Sequence, residues 1–139
     1  MSYESINQIF RNYNFEAYRW IEASQIVVSH WVRLKCHFGC ANFGKRGTCP
    51  PQVPSVEECR SFFGEYKKAV LFHFPIKLVR KEDCASWTRE LSKKLVSMER
   101  EVFKAGYYKT FVINTDACRL CNQCSGIRSE CINKADARP

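Results

Sequence analysis

A chain of 139 residues with 45% hydrophobic and 14% aromatic side chains can build one packed core, which excludes a disordered polypeptide. No apolar run approaches the roughly 20 residues of a membrane-crossing helix, and the opening MSYESINQIFRNYN holds no secretory core, so a cytosolic location with no membrane partner is expected. The formal charge of +8 raises nucleic acid as a partner, and the nine cysteines raise metal.

In chain order, the spacing of Ile6, Ile9 and Phe10 predicts a short helix over Ser5 to Asn12. Ala17 to Ile21 reads as a strand, and Ile26 to Leu34 has a mixed pattern. Cys36 to Pro54 holds three glycines and three prolines and is expected to be a loop. Ser55 followed by Val-Glu-Glu is an N-cap with an acidic first turn, which predicts a helix over Val56 to Tyr66. Ala69 to Phe74 is an apolar run of strand length, expected to be buried. Trp87, Leu91, Leu95, Met98 and Val102 recur every three or four residues and predict one buried face of a long helix, Asp83 to Lys104. Gly106 stands where a C-terminal cap belongs, and Lys109 to Asn114 reads as a second strand.

Strand, helix and strand in that order suit a right-handed parallel crossover. Asp116 to Pro139 is polar and cysteine-rich, with little to pack. The expectation is a single α+β domain over residues 1–139: a small α/β layer with one βαβ crossover. Cysteine loops at 36–54 and 116–139 would gather at one end of the sheet.

An odd cysteine count, tight spacings and a cytosolic setting favour metal ligation over disulfides. Cys118, Cys121 and Cys124 form a C-x2-C-x2-C run, with Cys131 following after six intervening residues. Three thiolates at this spacing can wrap one face of an iron–sulfur cube, as in ferredoxins. Zinc is the alternative, although zinc sites usually pair two separated C-x2-C knuckles.

Cys36, Cys40 and Cys49 form a second set, C-x3-C-x8-C, followed by Pro50 and Pro51. It offers three thiolates, and its fourth place is open. Cys59, Cys84 or Cys131 could fill it, or an iron could keep a position for water, a small ligand or a partner residue. Cys59 and Cys84, each on a predicted helix, read first as small buried hydrophobes and second as ligands. His37 is read as a group beside the site rather than a ligand, and His73 and His30 carry no metal argument. The Phe43 to Gly47 stretch, FGKRG, is read as the turn that lets Cys40 and Cys49 face one site, with contact to a phosphate or acidic partner as the lesser reading. Phosphate-binding, dinucleotide and serine-nucleophile motifs are absent, so no catalytic residue is assigned.

The two motifs, CHFGCANFGKRGTCPPQVPSVEEC and CRLCNQCSGIRSECINKADARP, resemble the predicted metal-binding protein family, domain of unknown function 2284, from about Val32 to the C-terminus. The resemblance implies metal or iron–sulfur binding at Cys36, Cys40, Cys49, Cys118, Cys121, Cys124 and Cys131. Function follows as an expectation: one or two 4Fe-4S clusters serving electron transfer or a redox partner protein. The alternatives are an enzyme or activator with an open iron at the three-cysteine site, and a zinc-stabilised interaction module. Thiolate-bound clusters carry about −2 each, which offsets part of the basic charge and disfavours a nucleic-acid partner.

Overall fold

The computed structural model describes residues 3–76, 83–114 and 116–139; Met1 and Ser2 of the N-terminal reading lie outside the described residues. The elements are α1 (Tyr3–Asn12), β1 (Tyr18–Glu22), α2 (His30–Gly39), α3 (Val56–Gly64), β2 (Lys68–Phe72) and α4 (Asp83–Lys104), with 3-10 turns at Ala23–Gln25 and Arg128–Glu130. Among the described residues, four α-helices and a small antiparallel sheet make an α+β fold, as expected. The chain forms two compact units. One takes Met1–Ala17, Phe74–Asn122 and Asn133–Pro139, and the other takes Tyr18–His73 and Gln123–Ile132.

The first unit is organised on α4. Its stripe buries Leu95, Met98 and Val102 together with Val96, and α1 packs on it through Ile6 and Phe10. Each such side chain contributes about 1.5–3 kcal/mol when fully removed from water. Phe15 meets Phe74 edge-on at 5.1 Å, and Phe74 meets Trp87 at 6.5 Å, extending the core past the two helices. Gly106 ends α4 at φ +99°, with Tyr107 N–H donating to Val102 O at 3.3 Å and Gly106 N–H to Phe103 O at 3.0 Å. That pair of bonds is the Schellman cap that the glycine allows.

Two expectations are corrected in this unit. Lys109 to Asn114 joins no sheet, so the parallel crossover is absent among the described residues. Its backbone donors go elsewhere: Val112 N–H to Glu99 Oε1 at 2.9 Å, and Asn114 N–H to Pro139 O at 2.7 Å. The C-terminal segment also packs. Ala137 is buried, and the Arg138 guanidinium grips the buried Glu99 carboxylate at 2.6 Å (Nη2–Oε2) and 2.9 Å (Nε–Oε2).

The second unit holds the sheet. β1 and β2 pair antiparallel, with Tyr18 opposite Phe72, Trp20 opposite Val70 and Glu22 opposite Lys68. β2 is not the buried strand expected from its apolar run. With a single partner strand, none of its residues is fully buried and Leu71 is 56% exposed.

The helix α2 replaces the start of the expected loop. No glycine or proline occurs from His30 to Phe38, so the helix runs through Cys36 and His37 and stops after Gly39. Arg33 Nη2 donates to Pro54 O at 2.5 Å, tying α2 to the loop's exit. α3 starts on the expected capping box: Glu58 N–H donates to Ser55 Oγ at 3.1 Å, and Ser55 N–H donates to Glu58 Oε2 at 2.7 Å.

Candidate metal centre

The loop from Cys40 to Pro54 is held by its own backbone. Phe43 N–H bonds to Cys40 O, Gly44 N–H to Pro50 O, Cys49 N–H to Arg46 O and Gln52 N–H to Cys49 O, at 2.8–3.1 Å. Gly44 takes φ +71°, a conformation open to glycine at no steric cost. The FGKRG stretch therefore does turn the chain within the span from Cys40 to Cys49.

Residues 123–132 lie on this loop. Arg128 N–H donates to Gln52 Oε1 at 3.0 Å across 76 positions of sequence. A Cβ at Gly47 would stand 3.6 Å from the Arg128 backbone, and one at Gly126 would stand 3.5 Å from the carbonyl oxygens of Gly44 and Lys45. Gly126 itself has φ +79°, so the contact and the turn both use the missing side chain.

Cys124 is the thiol that this packing serves. Burial pushes its pKa up, but the Gly47 and Gly126 N–H groups, with Arg46 as a nearby charge and hydrogen-bond donor, outweigh that and leave it below the ordinary thiol value. The cysteine spacings carry no sign of Arg46, Gly47 or Gly126 as donors to a sulfur. The only signal available was the basic, glycine-bearing FGKRG itself.

The other cysteines of this unit are placed as follows. Cys36 lies on α2 and is half-buried, Cys40 is exposed at the end of that helix, and Cys49 is half-buried in the loop. Cys131 is half-buried and follows the 3-10 turn, its N–H bonded to Arg128 O at 3.3 Å. Cys59 sits on α3 and donates its S–H to Pro54 O at 3.7 Å, which fits a structural thiol. His37 stacks on Phe38 and Phe43 at 4.7 Å from each, an aromatic role.

In the first unit, Cys84 begins α4, and its carbonyl accepts from Thr88 Oγ1 at 2.8 Å. Cys118 and Cys121 are half-buried in the segment that follows α4. Arg89 Nε donates to Arg119 O at 2.9 Å, which fixes that segment to α4. Asn133 Nδ2 donates to Cys121 Sγ at 3.0 Å, a second sulfur with an N–H directed at it.

The C-x2-C-x2-C run is thus divided: Cys118 and Cys121 belong to the first unit, Cys124 and Cys131 to the second. Among the described residues, no three Cys, His, Asp or Glu side chains converge closely enough to hold a metal ion. The donor chemistry nevertheless fits a thiolate-bound metal, because soft sulfur ligands are routinely oriented and stabilised by N–H groups around them.

Among the described residues, no helix is long and apolar enough to cross a membrane. No curated protein and no solved structure matches the chain. A family model does, over residues 19–139, and its description is that of a predicted metal-binding protein. The match takes in both cysteine motifs and most of the chain: the protein belongs to the predicted metal-binding protein family DUF2284.

Proposed function

We propose that this member of a metal-binding family is an iron–sulfur protein of the cytosol that transfers electrons or supports a redox partner protein. Cys36, Cys40, Cys49, Cys118, Cys121, Cys124 and Cys131 are the pool of ligands. The observation that carries the reading is the setting of Cys124, whose sulfur takes hydrogen bonds from Gly47 N–H, Gly126 N–H and Arg46. Such bonds stabilise a thiolate, and around an iron–sulfur core they shift its reduction potential upward. A bound cluster would supply one-electron chemistry. The chain's own part is to favour the thiolate of Cys124 and to fix the loop against which it lies.

The test is anaerobic purification followed by iron, sulfide and zinc quantitation, with EPR of the reduced protein. Stoichiometric iron and sulfide with a reducible paramagnetic signal is the expected result. A colourless protein carrying stoichiometric zinc would overturn the redox reading in favour of a zinc-stabilised module.

A further inference from the structure

The Cys36, Cys40 and Cys49 set has three thiols and needs a fourth donor to saturate a four-coordinate ion or a cubane. Sequence spacing offers Cys59, Cys84 and Cys131, and leaves Cys124 inside its own C-x2-C-x2-C run. The fold groups these residues differently. Cys84 belongs to the first unit, and Cys59 is engaged with the Pro54 carbonyl. Cys124 lies in the second unit with Cys36, Cys40 and Cys49, against the loop that joins Cys40 to Cys49.

We propose that Cys124 is the fourth ligand of the Cys36, Cys40 and Cys49 centre, and that Cys118 and Cys121 serve a separate site. The inference rests on the metal reading above and assigns its ligands. Three contacts carry it. Gly47, two residues before Cys49, directs its N–H at the Cys124 sulfur. Gly126, two residues after Cys124, sits against Gly44 and Lys45 inside the same loop. Arg128 N–H closes onto Gln52, three residues past Cys49. The contacts therefore run from Cys124 to Arg128 on one stretch of chain and from Gly44 to Gln52, with Cys49 between Gly47 and Gln52, on the other. Cys131 lies beyond these contacts, at the far end of the 3-10 turn. Cys121 instead takes its N–H from Asn133, within the first unit. The ligand class is a soft, thiolate-preferring metal group, either an iron–sulfur cluster or zinc.

The test uses the full chain, purified with its metal. Serine is placed at Cys49, Cys121 and Cys124, singly and in pairs, and bound iron, sulfide and zinc are counted after circular dichroism shows that helix content is kept. Cys124→Ser and Cys49→Ser should remove the same share of metal, and the pair should remove no more than either alone. Cys121→Ser should add to both.

A second measurement needs no variant. A chelator strips the wild-type protein stepwise while iodoacetamide labels the thiols that are released, and mass spectrometry reads each cysteine. Cys124 should become reactive in step with Cys36, Cys40 and Cys49. Release of Cys124 in step with Cys118 and Cys121, whether or not Cys49 moves with them, overturns the assignment and leaves metal binding standing. A wild-type chain with no bound metal overturns the metal reading itself.

Discussion

Replacing Arg138 by methionine leaves the Glu99 carboxylate without its cation. The Glu99 side chain is 6% exposed and that of Arg138 17%. The guanidinium reaches both carboxylate oxygens, with Nη2 2.6 Å and Nε 2.9 Å from Oε2 and Nε 3.3 Å from Oε1. Removing one partner of a buried pair costs about 3–5 kcal/mol, since the remaining charge is uncompensated. Partial exposure of Arg138 admits some water, which puts the expected loss near the lower end, about 3 kcal/mol. For a chain of this size that is a fall in Tm of roughly 10 °C.

Thermal unfolding of the metal-loaded protein, followed by circular dichroism, measures it. Glu99→Gln keeps an oxygen for the Val112 N–H while removing the charge, so the Glu99→Gln/Arg138→Met pair should recover about 1–2 kcal/mol over Arg138→Met alone. A fall of less than about 2 °C in Arg138→Met, or a double variant less stable than that single one, would show that the pair is not what holds the C-terminal segment.

Three further outcomes are expected. Gly126→Ala forces a side chain into positive φ and should cost about 1–2 kcal/mol in denaturant unfolding; an unchanged midpoint would mean that the turn is not held as described. In metal-free protein, Cys124 should alkylate at a lower pH than an ordinary thiol, and Arg46→Ala should move that profile up but only part of the way, since the Gly47 and Gly126 N–H groups remain. The Glu58 carboxyl is held below its ordinary value by the Ser55 N–H and then by the Ser55 hydroxyl. A depressed carboxyl stabilises the fold above its unfolded pKa and ceases to as the pH falls through the folded one, so acid unfolding should begin at higher pH in Glu58→Gln and lose part of its slope there.

The helices were legible where local signals agreed. Gly106 after the stripe from Trp87 to Val102 marks the C-terminal end of α4, and Ser55 with Glu58 marks the start of α3. The segment Lys109 to Asn114 has the composition of a strand, yet the Val112 and Asn114 N–H groups are taken by Glu99 and Pro139, which no local pattern announces. The glycines and prolines after Cys40 suggest a loop already at Cys36, but α2, free of both residue types up to Phe38, runs on to Gly39. At the candidate site, the cysteine positions are visible as motifs, whereas their grouping is a tertiary fact. Spacing treats Cys118, Cys121 and Cys124 as equivalent, but the neighbours of Cys121 and Cys124 are Asn133 and Gly47, each remote in sequence or separated by the fold.

The bond from Arg128 to Gln52 has a consequence for the order of assembly. It joins residues 76 apart, and closing so long a loop costs little more entropy than closing one half its length. In time the cost is greater, because contacts of high sequence separation form late. During synthesis the Cys40–Cys49 loop leaves the ribosome well before Gly126 and Arg128 exist to cover it. The loop passes that interval without the segment that lies on it in the folded chain, and Cys49, half-buried once folded, is then more open to oxidation or to a foreign ion than at any later time.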